Sequence, residues 1–325
     1  MTTMQALQLT RPDPSLPPTL TLTTLPKPDL QPGHILIAVH ASAIHPSDLL
    51  NSTGSFPQTT YPRIPGRDFS GVVIAPASHP LYNKPVFGTS GNTQAFTTSG
   101  AHAQSILVPE GGVVEKPDSL SWVQAATLGV PFSTAALILK RAGLVEGSGE
   151  SVFVLGANGA VGSAVVQLAQ ARGAKVFQGT RNDKGDVNTA SDPELAKLDE
   201  LTGGKGVDIV IDTVGQPGLT GAASRRLARG GRVVFIAAPR GGDSTLGIEM
   251  TGFYRKEGAL FGVNSLLYGV EEMAGLLGGM VGLFKEGKLK GAEEGSWNEV
   301  PLEDAVGAYK LAGERGKGKF VLVMQ

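Results

Sequence analysis

Cysteine is absent from the 325 residues. Its absence excludes disulfides, thiolate zinc sites, iron–sulfur clusters and cysteine nucleophiles, and leaves cysteine usage silent about redox compartment. Net charge is nearly absent too, at −1, which argues against a broad electrostatic grip on nucleic acid or on an anionic membrane. No apolar run approaches the ~18 residues that suggest a membrane span. The opening MTTMQALQLTRPDPSLPP lacks the basic stretch and apolar core of a secretory signal. The expectation is a soluble cytoplasmic protein with neither nucleic acid nor membrane as partner. Glycine, by contrast, is plentiful, with 45 residues, about double the usual ~7%. The glycines are scattered rather than periodic, which fits tight turns and close backbone approaches. Apolar residues make up 41%, enough for a substantial core, and the length suits one large domain or two ordinary ones.

The texture of the chain changes along its length. MQALQLT, TLTLTTL, HILIAVHASAI, FSGVVIA, KPVFGT and HAQSILV are short, often alternating segments punctuated by Pro, Gly, Asn and Asp. They read as strands of a small barrel or sandwich. After Ser119 and Ser121, either of which suits a helix cap, apolar residues recur at helical spacing to Leu139. From there to about Asn264, apolar runs (SVFVL, KVFQG, VDIVID, GRVVFIAA, ALFGVN) alternate with helical patterns. That alternation predicts a parallel sheet covered by helices. A Gly-rich helical stretch, GVEEMAGLLGGMVGLFKEG, then LEDAVGAYKLAGERG and a last strand KFVLVM complete the chain. No internal repeat or low-complexity linker is present.

SVFVLGANGAVGSAVVQLAQA sets Ala157, Gly159 and Gly162 at G-x-G-x-x-G spacing with alanine first, and Gly156 precedes them. A strand before and an amphipathic helix after turn a weak pattern into a specific one. A pyrophosphate needs backbone N–H groups at a helix N-terminus, where the dipole favours negative charge. A side chain at Gly159 would hold the phosphates away, and one at Gly162 would spoil helix-on-strand packing. Gly156, Asn158, Gly159, Ala160 and Val161 are therefore candidate contacts. The alternative is an ordinary tight turn. Sites for NAD place an acid near the end of the second strand, where it bonds the ribose 2′-hydroxyl. Here that strand ends in Gly179-Thr180-Arg181, and no acid appears until Asp183. An arginine can clamp a 2′-phosphate with two hydrogen bonds. Arg181, with the Thr180 hydroxyl and the Lys184 charge, points to NADPH rather than NADH. The bland alternative is a solvated loop arginine. A parallel crossover usually needs a dozen or more residues, and too few separate KVFQG from the next apolar stretch, DVNTA. The second crossover helix is expected to be missing.

Together these segments resemble the medium-chain dehydrogenase/reductase superfamily, in its zinc-independent quinone and enoyl reductase branch. SAIHPSDLLNSTGSF resembles that branch's N-P-x-D stretch with His45 for Asn, and YPRIPGRDFSGVV resembles its P-G-x-E-x-x-G segment. GVPFSTAALIL, LTGGKGVDIVIDTVG and KGKFVLV are similar to its helix start, cofactor-fold signature and closing strand. The resemblance covers nearly the whole chain. It implies an α/β protein: a GroES-like β-barrel catalytic domain at 1–120 and 265–325, with a Rossmann, doubly wound parallel-sheet NADPH-binding domain inserted at 121–264. It further implies cofactor contacts at Thr134, Val214, Ala237, Ala238, Phe261 and Val263. Zinc-dependent members place metal ligands where this chain has His45-Pro46 and Gly66-Arg67-Asp68. Here no third ligand is evident, so no metal is expected, and Arg67 and Asp68 are expected to pair. ALFGVNSLLYG is the edge through which the resemblance implies a homodimer.

Without a metal, carbonyl reduction loses its Lewis acid, whereas hydride addition to a quinone or an activated C=C needs only an oxygen-stabilising donor and a proton. The tyrosines that relatives carry after N-P-x-D are Leu50 and Phe56 here. Asn51 and Tyr61 are the remaining candidates for donor or acid, with solvent as the alternative proton source. Asp48 reads as a structural acceptor. Leu49, Leu50 and Phe56 favour a small hydrophobic carbonyl or quinone as substrate. Two other readings stay open: an enoyl-thioester reductase of fatty-acid or polyketide metabolism, and a catalytically silent NADPH-binding sensor.

Overall fold

In the computed structural model, which describes residues 2–239, 241–314 and 316–324, the β texture of the first third becomes seven strands. These are β1 (Thr3–Thr10), β2 (Thr19–Pro26), β3 (His34–Ile44), β4 (Asp68–Ala75), β5 (Pro85–Thr89), β6 (Ser105–Pro109) and β7 (Val114–Glu115). β1 and β2 form an antiparallel ribbon. The eleven-residue β3 is central to the other sheet: β4 lies on one side, a strand of the tail on the other, and β6 also pairs with it. The tail contributes β14 (Asn298–Pro301) and β15 (Phe320–Val323), in the order β14-β15-β3-β4-β5-β7. Period-two alternation turns Ile35, Ile37, Val39, Phe69, Val73 and Ile106 inward, where Tyr309, Phe320 and Leu322 from the tail complete the core. The chain divides into two units, Met1–Ser133 with Ser265–Gln325, and Thr134–Asn264.

The second unit carries a six-stranded parallel sheet of β8 (Ser151–Leu155), β9 (Lys175–Thr180), β10 (Val187–Asn188), β11 (Val207–Asp212), β12 (Leu227–Phe235) and β13 (Ala259–Gly262). Its order is β10-β9-β8-β11-β12-β13, the doubly wound arrangement whose direction reverses beside the first strand. Register sets Leu155 opposite Gly179 and Asp212, Asp212 opposite Phe235, and Phe235 opposite Gly262. The carboxyl ends of five strands are thereby level.

The connection from β9 to β10 spans only residues 181–186 and contains no helix. So short a parallel return is feasible because β10 pairs only at Val187 and Asn188, opposite Gly179 and Thr180. The loop is pinned by Asp186, whose N–H donates to the Gln178 carbonyl (2.8 Å) while its Oδ2 accepts from the Gln178 N–H (2.7 Å).

The helical run after Ser121 departs from expectation by breaking in two. Short α1 (Pro46–Ser52) precedes it in the chain, and the run itself gives α2 (Trp122–Ala126) and α3 (Gly129–Ala142). Ser121 caps α2, its Oγ accepting from the Gln124 N–H at 3.0 Å. The break follows from the fold: the Asp68 carboxylate accepts from Val130 N–H at 2.7 and 2.9 Å and so starts a new helix there. Residues 121–133 also differ in allegiance from the sequence-based division, because they pack with the first unit. Trp122, Val123 and Ala126 lie against Ala41, Ala43 and Val321, and Ser70 Oγ donates to the Trp122 carbonyl at 2.7 Å.

Candidate functional site

β8 is followed by Gly156, which has φ +78°. A Cβ there would lie 2.6 Å from Thr213 Oγ1, so the turn after β8 requires glycine twice over. The chain then rises into α4 (Ala160–Ala171), whose N-cap, Gly159, offers no side-chain cap. The amides of the first turn therefore have no partner inside the helix. Gly162 is demanded by packing, since a Cβ would overlap the Gly156 carbonyl oxygen. Gly159 is different. Its φ is −73°, a Cβ would meet only the Gly156 oxygen, at 3.1 Å, and it is exposed beside exposed Asn158 and half-buried Ala160 and Val161. The fold tolerates a side chain at 159, so the bare position leaves an unfilled cradle over free N–H groups, which suits a pyrophosphate.

The expected contacts after β11 and β12 and on β13 follow the same level row of strand ends. Asp212, fully buried, organises the turn after β11: its Oδ1 accepts from the N–H groups of Val214 (2.8 Å) and Gly215 (3.0 Å), and its Oδ2 accepts from Thr220 Oγ1 (2.5 Å). Val214 is half-buried there, as is Ala237 beyond β12, with Ala238 exposed. Phe261 lies on β13 with the Arg141 guanidinium 4.9 Å from its ring centroid. Val263 follows, its N–H donating to the Phe235 carbonyl at 3.0 Å. Thr134 in α3 is 5% exposed, and its hydroxyl is buried with no hydrogen-bond partner. Such an orphaned donor is the kind of group a bound polar ligand satisfies.

At the end of β9 the structure separates the three residues expected to receive a 2′-phosphate. Thr180 is 3% exposed and its hydroxyl donates to the Asn182 carbonyl at 2.6 Å. Its proton belongs to the turn, and the expectation of a phosphate contact from this hydroxyl is corrected. Arg181 is exposed and makes no hydrogen bond or ion pair among the described residues. Lys184 is exposed as well, with only its backbone N–H engaged, by Asn182 Oδ1 at 3.1 Å.

The first unit holds a buried polar cluster. His45 Nε2 and Asp68 Oδ2 are 2.7 Å apart at 2% and 0% side-chain exposure. Desolvation pushes the His45 pKa down, but Asp68 and Asp48 together outweigh it and hold the imidazole above its ordinary range. Asp48 accepts from the His45 N–H at 2.8 Å, while its Oδ1 has no partner and burial raises its pKa to about 6. The expected Arg67–Asp68 pair does not form. Arg67 and Asp68 are consecutive at the start of β4 and face apart. Arg67 donates instead to Ser90 Oγ (2.7 Å), Ser47 Oγ (3.2 Å) and the Gly91 carbonyl (3.3 Å), and its guanidinium lies 5.5 Å from the Phe96 centroid.

Asn51 and Tyr61 have opposite fates. Asn51 is 1% exposed, with Nδ2 donating to the Ala95 carbonyl and Oδ1 accepting from Thr59 Oγ1, both at 2.6 Å. The oxygen and one of the two Nδ2 hydrogens are thus committed to the fold, which leaves only the second hydrogen for a substrate. The Tyr61 hydroxyl is buried without a partner. Sequence reasoning missed His102, whose Nδ1 takes a bond from Tyr309 OH (2.9 Å) and whose Nε2 meets the Ala43 carbonyl (3.1 Å). The two residues stand 207 positions apart, and no local signal links them. Burial lowers the His102 pKa to about 4.

Comparison with known proteins agrees with this architecture. Residues 31–118 match the alcohol dehydrogenase GroES-like domain family, and residues 160–278 match the zinc-binding dehydrogenase family. A zinc-type alcohol dehydrogenase-like protein of Schizosaccharomyces pombe is 43% identical over 93% of this chain and 92% of its own. The quinone oxidoreductase of Homo sapiens is 28% identical over 89% of each. The solved structure of an alcohol dehydrogenase superfamily protein from Novosphingobium aromaticivorans superposes with a TM-score of 0.82 at 26% identity, over the whole of both chains. The zinc in two of these descriptions does not fit the donor set. His45 and Asp68 bond each other, Asp68 also receives the Val130 N–H, and no group of three or more His, Asp or Glu is placed to hold a metal among the described residues.

Proposed function

The chain belongs to the medium-chain dehydrogenase/reductase superfamily, in its quinone oxidoreductase branch, and from that membership we propose an NADPH-dependent, metal-independent reductase of quinones or of the activated C=C of α,β-unsaturated carbonyls. The observation that carries the reading is Gly159: a glycine the fold does not need, at the bare mouth of α4. When bound, the dinucleotide supplies a hydride from C4 of its nicotinamide to the substrate's electrophilic carbon. The protein's part is to hold and to protonate. The first-turn amides of α4 take the pyrophosphate, and Arg181, paired with no carboxylate among the described residues, takes the 2′-phosphate with a charge-assisted fork. The orphaned Thr134 hydroxyl supplies a further hydrogen bond. Tyr61, whose phenol has no partner, is the proton donor for the reduced substrate.

A fluorescence titration of the full chain with NADPH and NADH tests the cofactor assignment. Arg181→Ala is expected to weaken NADPH at least about tenfold, the loss of one charge-assisted bond, and to leave NADH within about twofold. Equal effects on both forms, or none, would refute it. Following NADPH oxidation across quinones, enones and enoyl thioesters then identifies the acceptor class. Background rates with all three would favour a silent binding protein.

A further inference from the structure

The first unit contains a cavity of about 720 Å³, within the range of small-molecule sites. It is walled by β1, the end of β2, the paired starts and ends of β3 and β6, and the turn 93–99. None of its lining residues belongs to the His45–Asp48–Arg67–Asp68 cluster, and none lies in the second unit. Its apolar surface comes from Met4, Leu25, Ile64 and Ile106. Two polar features stand out against it. Gln94 is 2% exposed, and its Nε2 donates to the Leu107 carbonyl at 3.2 Å, which fixes the amide's orientation. Its Oε1 is left buried with no hydrogen-bond partner, a position that asks for an O–H or N–H from whatever fills the cavity. Lys27 and Arg63 also line it. Neither is ion-paired among the described residues, and Arg63 spends only Nε and Nη2, on the carbonyl and hydroxyl of Thr60. The one carboxylate in the wall, Asp29, is exposed and outnumbered.

We propose that this cavity is a second binding site, separate from the dinucleotide mouth, for a small monocarboxylate with an apolar body and a hydroxyl group. The hydroxyl donates to Gln94 Oε1, the body covers Met4, Ile64 and Ile106, and the carboxylate faces Lys27 and Arg63. An isolated water satisfies Gln94 equally well but gives the apolar surface and the two cations nothing to bind.

The test is a calorimetric titration of the full chain with 4-hydroxybenzoate, benzoate and phenol. Saturable binding of 4-hydroxybenzoate is expected, with benzoate about fivefold weaker for want of one neutral hydrogen bond. Gln94→Leu should bring 4-hydroxybenzoate down to the level of benzoate and leave benzoate unchanged. Lys27→Ala should weaken both carboxylates several-fold and spare phenol. Since Lys27 Nζ makes no bond among the described residues, this variant keeps the test decisive should Gln94→Leu misfold. Absence of saturable 4-hydroxybenzoate binding to the wild-type protein, or binding indifferent to Lys27→Ala, would overturn the proposal. Nucleotide affinity is measured separately and bears on the other site alone.

Discussion

Two glycines three residues apart are bare for different reasons, and substituting each should separate stability from binding. At 162, an added Cβ would overlap the Gly156 carbonyl oxygen, 2.8 Å from its carbon and 3.1 Å from Ala157 Cα. All three are backbone atoms, which cannot swing aside. Overpacking of this kind costs about 1–3 kcal/mol, so Gly162→Ala should lower the melting temperature by several degrees. At 159, φ is −73° and the sole neighbour of a Cβ is one oxygen at 3.1 Å, which a shift of a few tenths of an ångström relieves. Serine is a better N-cap than glycine by about a few tenths of a kcal/mol. Gly159→Ser should therefore melt at or slightly above the wild-type temperature. The same side chain stands where a phosphate must approach the first-turn amides. Losing one charge-assisted N–H bond of about 1.5–3 kcal/mol raises the nucleotide Kd at least about tenfold. Thermal melting in the absence of nucleotide, paired with NADPH titration by fluorescence, reads both quantities. Wild-type affinity in Gly159→Ser would mean that the mouth of α4 holds no phosphate, and an unperturbed melting temperature in Gly162→Ala would break the packing argument.

The Asp48 pKa is raised by burial from an ordinary 3.8 to about 6, so the folded state holds this proton more tightly than the unfolded chain. Its contribution to stability is present in full below about pH 4 and is lost as pH rises through about 6, on the order of 3 kcal/mol in all. Asp48→Asn keeps an oxygen for the His45 N–H and should flatten that fall, with the largest gain over wild type above pH 6. His102, depressed to about 4, contributes the opposite slope in both proteins and cancels in the difference, whereas His45, which Asp48 helps to hold above its ordinary range, is raised less in the variant and loses part of its stabilisation only at pH values where it is protonated; a difference from wild type that is the same at pH 4 and pH 7.5 would refute the assignment. Tyr61→Phe removes a hydroxyl that bonds nothing, so it should leave stability unchanged or improved by up to about 1 kcal/mol while lowering kcat at least about tenfold. A wild-type kcat would leave solvent as the proton source.

Local pattern was enough for much of the molecule. Strands with period-two or continuous apolar runs, the helix after GANGAVG and the absent helix between β9 and β10 all follow from spacing, because each depends on residues near one another in the chain. The two-helix break at Thr127–Leu128 was not legible, since its cause is a carboxylate on Asp68, 62 residues away from Val130. The site divides along the same line. The turn at Gly156, Gly159 and Gly162 could be read because a strand–turn–helix is built from consecutive backbone. The bonds of Thr180 and Asn51 were not legible because hydroxyl and amide groups go to whichever partner the fold brings within 3 Å, and in these two cases that partner is the protein itself.

The amino-acid sequence alone determined the class of the fold, the glycine turn between β8 and α4 and the exclusion of thiolate chemistry, since periodicity, glycine spacing and composition act locally or not at all. Tertiary structure decided the rest: that His45 rather than Arg67 pairs with Asp68, that Tyr309 meets His102 across 207 residues, and that Thr134, Tyr61 and Gln94 are left with unsatisfied polar atoms. Those outcomes depend on which buried groups burial forces together, a competition among desolvation, charge and hydrogen bonding that is settled only in three dimensions.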